Sequence, residues 1–172
     1  MSVEKAITTI KEMFEERNYS DISEDKERIS AKKPNGDQIV CILDFITTKF
    51  NIENMQDKYE QLKEQGIKHC IIIYNDTPTP AVKKEIPNLE KIGMRFELFQ
   101  LDDLQFNCTK HSLVPKHELL SPEESKTFKD KYGSNIPVLL HTDPIAKFYN
   151  FRPGQIIRVI RRNGFPSYRI VK

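Results

Sequence analysis

Cysteine is scarce in this sequence: Cys41, Cys70 and Cys108 are odd in number and far apart. That argues against a disulfide framework and points to a reducing compartment. Long apolar runs are missing as well. The longest, Ile39–Leu43 and Cys70–Tyr74, hold five residues each, far short of the ~20 that a spanning helix needs. Glu4, Lys11 and Glu12 interrupt every apolar stretch near the amino end, so no signal-peptide pattern is expected there. Glycine occurs six times, scattered at positions 36, 66, 93, 133, 154 and 164, which leaves no Gly-rich loop to cradle a phosphate. No serine sits between glycines as a nucleophile elbow would require. Internal repeats and low-complexity segments are also absent.

Charge is nearly balanced over the 172 residues, with 27 basic and 25 acidic side chains. The halves differ sharply. Residues 1–106 carry 15 basic and 20 acidic groups, net −5, whereas residues 107–172 carry 12 and 5, net +7. After Asp143 there is no carboxylate side chain, while Lys147, Arg152, Arg158, Arg161, Arg162, Arg169 and Lys172 follow. Asymmetry of this kind suggests two units with different partners.

In the first half, Val3, Ala6, Ile7, Ile10, Met13 and Phe14 recur at helical spacing after Ser2. A polar stretch from Asn18 to Glu27 reads as irregular. Strands are expected over Arg28–Lys33 and Gln38–Phe45, joined by the turn Pro34-Asn35-Gly36-Asp37. Ile52, Met55, Tyr59 and Leu62 define a second helix stopped by Gly66. Ile67–Tyr74 is β-branched and nearly all apolar, as in a strand covered on both faces. A short helix over Ala81–Ile86 should end at Pro87, and Met94–Phe99 is a further strand. The order implies a layered α/β domain.

In the second half, Ser121-Pro122-Glu123-Glu124 is a capping box opening a helix that carries Phe128 and Tyr132 to Gly133. Asp143-Pro144 starts a shorter helix towards Tyr149. Val138–His141, Gln155–Arg162 and Phe165–Val171 read as strands, the last two joined by Asn163-Gly164, the preferred pair for a type I′ turn. Leu113, Phe128, Ile145, Ile157, Val159 and Ile170 are candidates for a small core. This is a small α+β domain.

Enzymatic chemistry finds little support. Cys108, His111 and His117 lack a fourth zinc ligand nearby. Asp44, at a strand end, resembles the metal-binding carboxylate of some nucleases, but the next strand reads Ile67-Lys68-His69-Cys70-Ile71 and has no acid to complete a two-metal set. Asp44 reads instead as a solvated strand-end aspartate. The basic tail suits phosphates or an acidic protein surface equally, and its alternating side chains divide between two faces.

The run Asn107-Cys108-Thr109-Lys110-His111-Ser112-Leu113-Val114-Pro115-Lys116-His117, followed by Leu120-Ser121-Pro122-Glu123-Glu124, closely resembles the family of the fifth subunit of eukaryotic RNA polymerases and its archaeal counterpart. The match continues through Tyr132, Pro137, Asp143-Pro144, Ala146, Tyr149, Gly154-Gln155, Ile160-Arg161 and Tyr168-Arg169. It departs in the hairpin, where Arg162–Ser167 is shorter than the familiar loop and Arg162 replaces the usual proline. The first half resembles the amino-terminal jaw of the eukaryotic protein, which the archaeal one lacks, with its best match at Thr79-Pro80, Ala81 and Lys83. It is shorter than nuclear jaws between Tyr19 and Ile39, which would suit a large DNA virus or a divergent eukaryote.

The resemblance implies a layered α/β jaw domain with a nuclease-like topology and no active site at residues 1–106, and a small α+β assembly domain at residues 107–172. It implies a non-catalytic subunit of a multisubunit DNA-dependent RNA polymerase, with no metal, no cofactor and no membrane contact. The assembly domain would dock on the largest subunit, and the jaw would lie near downstream duplex DNA. Carried over by position, the DNA-proximal residues would be Thr47, Thr48, Lys49, Thr79, Pro80, Lys83 and Lys84. Motif residues expected at the subunit interface are His111, Pro115, His117, Asp143, Pro144, Gly154, Arg158, Arg161, Tyr168 and Arg169. The expected location is the nucleus for a cellular protein, and the host cytoplasm or virion for a viral one. The alternative reading is a stand-alone nucleic-acid-binding or nuclease-like protein.

Overall fold

Ser2 accepts a hydrogen bond from the Lys5 amide at 3.3 Å and caps the first helix, α1 (Val3–Glu16). Its apolar stripe, Ala6, Ile10, Met13 and Phe14, is fully buried. The computed structural model describes residues 1–133, 135–162 and 164–172, which fall into two compact units, Met1–Phe106 and Asn107–Lys172. Both mix helices with a β-sheet, and among the described residues no helix is long and apolar enough to cross a membrane.

In the first unit α1 is followed by β1 (Ser20–Glu24), β2 (Arg28–Lys32), β3 (Gln38–Ile42), α2 (Ile52–Glu64), β4 (His69–Tyr74), α3 (Pro80–Lys91) and β5 (Arg95–Gln100). The sheet runs β1-β2-β3-β4-β5. Its first three strands are antiparallel neighbours, whereas β3, β4 and β5 are parallel. Val40, Ile42, Cys70, Ile72 and Phe96 form one core with Met55 and Leu62 of α2 and Val82 and Leu89 of α3. Cys41, Ile71 and Glu97 lie in register on the opposite face.

Three features differ from the sequence expectations. The polar stretch Asn18–Glu27 contains an edge strand, β1, with four of its five residues exposed. Period-2 alternation cannot mark such a strand, because neither face is buried; pairing with β2 defines it. The strand expected to reach Phe45 stops at Ile42 and turns into a 3-10 segment at Asp44–Ile46. Finally, α3 does not end before Pro87 but runs through it to Lys91. Pro87 is exposed, so the hydrogen bond it forfeits lies on the solvent side. Val82 and Leu89, buried seven residues apart, hold both halves of the helix against the core.

An ion pair is buried on the α1 face. Arg17 donates from both terminal nitrogens to the two carboxylate oxygens of Glu97 at 2.8 Å each. The two side chains are only 5% and 10% exposed. His69 Nε2 lies 2.5 Å from the same carboxylate, and its Nδ1 is 3.4 Å from the Tyr19 hydroxyl. Burial works to raise the Glu97 pKa, but the Arg17 charge and the hydrogen bonds from His69 and Arg17 outweigh it and hold the carboxyl well below its usual range. Burial also lowers the His69 pKa, so a neutral ring donating from Nε2 and accepting at Nδ1 fits both partners.

In the second unit a 3-10 turn at Cys108–Lys110 precedes β6 (Lys116–Leu119), α4 (Pro122–Tyr132), β7 (Val138–Leu139), α5 (Pro144–Tyr149), β8 (Ile156–Ile160) and β9 (Pro166–Val171). The sheet order is β6-β8-β9-β7, with β7 parallel to β9 and the other pairs antiparallel. One face buries Leu139, Ala146, Phe151, Ile157, Val159 and Val171. The other packs Leu120, Ile136 and Ile156 with Phe128, Tyr168 and Ile170. The capping box forms with Ser121 Oγ and Glu124 Oε2 accepting reciprocal amide bonds at 3.1 and 2.9 Å. Strand β6 has no counterpart in the sequence expectations. Leu113, expected in the core, is 80% exposed, because bonds from the Leu113 and Val114 amides to His111 turn the chain there. The expected Asn163-Gly164 turn includes Asn163, which lies outside the described residues.

Glu97→Gln should destabilise the chain by about 3 kcal/mol, since it removes the buried carboxylate that meets both terminal nitrogens of Arg17. The double change Arg17→Met with Glu97→Leu should cost less than either single change. Urea unfolding of the wild type, Glu97→Gln, the two single changes and the double change measures both. Because the folded Glu97 pKa is depressed, its stabilisation is complete above about pH 4.3 and is lost as pH falls through the folded value. That acid-side slope should be absent from Glu97→Gln.

Candidate functional site

Parallel strands end on the same edge of their sheet, and this brings two distant segments of the first unit together. Strand β3 leads through Asp44–Ile46 to Thr47, Thr48 and Lys49, and β4 leads through Asn75 to the Thr77–Pro80 turn and α3. The Asn75 amide donates to the Phe45 carbonyl at 3.3 Å and ties the segments. Thr47, Thr48, Lys49, Pro80, Lys83 and Lys84 are exposed, and Thr79 is half-buried. Thr79 is the N-cap of α3 without a side-chain cap bond, and Pro80 occupies the first turn. Amides of a first helical turn have no carbonyl partner within the helix, and they favour an anion. Crevices at the carboxyl ends of parallel strands are the usual ligand sites of α/β sheets.

Asp44 differs from the expected solvated aspartate. Its carboxylate pairs with Lys58 of α2 at 2.5 Å, while its carbonyl accepts from the hydroxyl of Thr48 at 2.8 Å. Asn54 of α2 donates to the Lys49 carbonyl at 3.3 Å. Lys58 and Asn54 thus shape the edge, and no signal in the sequence names them, because their partners are not helical neighbours. Exposed Asp76, Asp102 and Asp103 follow β4 and β5, so both signs of charge meet on this edge. Among the described residues no group of three or more His, Cys, Asp or Glu side chains is placed to hold a metal.

Most motif residues of the second unit serve its own folding. His117 donates from Nδ1 to the Pro115 carbonyl at 2.8 Å, and burial lowers its pKa. Asp143 caps α5 by accepting from the Ile145 amide at 2.9 Å, with Pro144 in the first turn. Gly154, at φ +87°, allows the turn before β8, and its amide donates to the Val171 carbonyl. Arg158 reaches Glu124 at 3.0 Å and Glu118 at 3.5 Å. Tyr168 packs on Phe128 with ring centroids 4.3 Å apart, and Arg169 donates to the Val138 carbonyl at 3.1 Å. Since Arg158 pairs with Tyr168 and Arg169 with Ile157 across the hairpin, these two arginines occupy opposite faces. His111 and Arg161 are exposed. Cys108, His111 and His117 do not converge: the Cys108 sulfur points to the Pro144 carbonyl at 4.0 Å.

Residues 106–171 match the family model described as RNA polymerase Rpb5, C-terminal domain. A chain of Invertebrate iridescent virus 6 named "Putative DNA-directed RNA polymerase subunit 454R" is 33% identical over 98% of this chain and 98% of its own length. The chain belongs to the Rpb5 family of RNA polymerase subunits. Family members from Caenorhabditis briggsae and Caenorhabditis elegans, named "DNA-directed RNA polymerases I, II, and III subunit RPABC1", are each 30% identical over 72% of this chain. This chain spans 62% and 61% of their lengths. The Rpb5 model covers the second unit, where the motif residues concentrate, whereas the viral relative extends through the first.

Arg158→Glu should lower the melting temperature, because a third carboxylate would face Glu118 and Glu124. Exposed Arg161→Glu should leave it unchanged. Thermal unfolding by circular dichroism separates the two, and adding Glu118→Lys should restore part of the loss in Arg158→Glu.

Proposed function

We propose that this chain is a non-catalytic, structural subunit of a multisubunit DNA-dependent RNA polymerase. In this reading residues 107–172 are the assembly domain that docks on the largest subunit. Residues 1–106 are the jaw, with Thr47–Lys49 and Thr77–Lys84 beside downstream duplex DNA. The observation that carries the proposal is the end-to-end similarity to a viral chain named as a polymerase subunit. The geometry supports it further: both jaw segments emerge on one sheet edge, where exposed Lys83 and Lys84 adjoin a helix amino terminus. Mixed charge at that edge suits a weak, local contact with phosphates, compatible with a duplex that slides. A net −5 over residues 1–106 disfavours tight, sequence-independent wrapping of DNA. The basic assembly domain complements an acidic docking surface. A viral protein of this kind would act in the host cytoplasm or virion, and a cellular one in the nucleus.

Lys58 engages the Asp44 carboxylate, and among the described residues Asp44 belongs to no group of three or more ligating side chains of the kind two-metal chemistry needs. With magnesium or manganese, the purified chain should cleave neither DNA nor RNA. Metal-dependent cleavage abolished by Asp44→Ala would establish the stand-alone nuclease alternative instead.

Affinity capture of the full chain from its native source should recover large polymerase chains, identified by mass spectrometry. Arg161→Glu should reduce that recovery, whereas Lys83→Ala with Lys84→Ala should not. The lysine pair should instead loosen the assembled polymerase on long downstream DNA. Each lost phosphate contact should lower the salt slope of binding by about 0.9, measured as complex stability against ionic strength.

A further inference from the structure

The carboxyl end of α4, the segment before β7 and strand β9 enclose an open groove of about 320 Å³, lined by Phe128, Tyr132, Asn135, Ile136, Pro137 and Tyr168. Phe128 lies between the two tyrosines, 4.8 Å from the Tyr132 ring and 4.3 Å from the Tyr168 ring. The result is one continuous aromatic wall. Within this wall Tyr132 is 61% exposed, and large exposed aromatic surface beside a concavity marks an interaction site. Exposed Val138 and Leu140 extend the apolar surface along β7.

Strand β7 is an edge, and the carbonyls on its free side are already engaged within the fold. The Pro137 and Leu139 carbonyls face β9, accepting from Ile170 and Lys172 at 2.8 and 3.0 Å. Those of Val138 and Leu140 point the other way, and both are occupied. Val138 accepts from Arg169 at 3.1 Å, and Leu140 accepts from the Asp143 amide at 3.0 Å. A segment without amide donors suits an edge whose outward carbonyls are already engaged, and ring faces with side-chain polar groups would hold it. Polyproline II segments are recognised in this way: their prolines lack amide donors, lie flat on aromatic rings and lose little entropy on binding. Charge selects among such segments. The Lys131 ammonium sits over the Tyr132 ring, 5.1 Å from its centre, and the unit as a whole is net +7.

We propose that this groove docks an extended, proline-containing segment of a partner protein with an acidic residue placed to meet Lys131. The proposal does not depend on the polymerase role. It is tested on the full 15N-labelled chain with the synthetic peptide acetyl-Glu-Pro-Pro-Leu-Pro-Glu-amide, an alanine-for-proline version and a lysine-flanked version. The acidic proline peptide should give saturable shifts confined to the surroundings of Tyr132, Asn135 and Tyr168. Tyr132→Ala, which removes an exposed ring, should weaken it about tenfold, while Tyr132→Phe should retain most of the binding. Lys131→Glu should weaken it about threefold and favour the lysine-flanked peptide. Equal binding of the alanine peptide, shifts outside the groove, or no saturation at millimolar peptide would overturn the proposal. So would the same shifts on raising protein concentration without peptide, because a second copy would then be the occupant.

Discussion

A guanidinium facing a carboxylate on one side of the sheet links the end of α1 to the last strand of the amino-terminal unit. Arg17 and Glu97 are distant in sequence, nearly inaccessible to water, and joined by two 2.8 Å bonds. Removing two such charges from water costs several kcal/mol, and only good geometry with further hydrogen bonds offsets it. His69 on the neighbouring strand β4 supplies one of those bonds, and Tyr19, just before β1, contacts His69 in turn. The cluster therefore links α1, β4, β5 and the approach to β1. Because either charge left alone would be costly, few arrangements of these elements other than the observed one are tolerable.

That constraint bears on function through topology. With β4 and β5 held in register beside β3, the carboxyl ends of three parallel strands open on a single edge, and the candidate DNA-proximal segments leave from two of them. The Lys58–Asp44 pair and the Asn54 bond then fasten α2 to the loop after β3. Exposed Thr47, Thr48 and Lys49 therefore sit on backbone tied to α2 by these bonds.

In the carboxy-terminal unit several family-motif residues take part in the fold itself. Asp143, Pro144, Gly154 and His117 have local duties in capping, turning and tying down the chain. A domain this small has a limited core, so each cap and turn contributes a large share of its stability. Arg158 belongs with them, since Glu118 and Glu124 already neutralise it. The aromatic groove beside α4 is the contrasting case: rings that the fold itself leaves partly uncovered.

The sequence by itself determined the local elements with strong chemical signals. Ser2, Ser121 and Asp143 start helices because their side-chain oxygens satisfy free amides a few residues away, and that geometry needs no tertiary partner. The long motif from Asn107 to His117 was equally legible and carried the polymerase family. Tertiary structure decided what depends on distant partners. Polar β1 becomes a strand only through pairing with β2, and α3 passes Pro87 because Val82 and Leu89 are both buried. Asp44 is neutralised by a lysine on another element, and Glu97, an ordinary strand carboxylate in sequence, is the buried partner of Arg17. Pairing across the sheet and burial of charge involve residues brought together only by folding, and no local pattern records them.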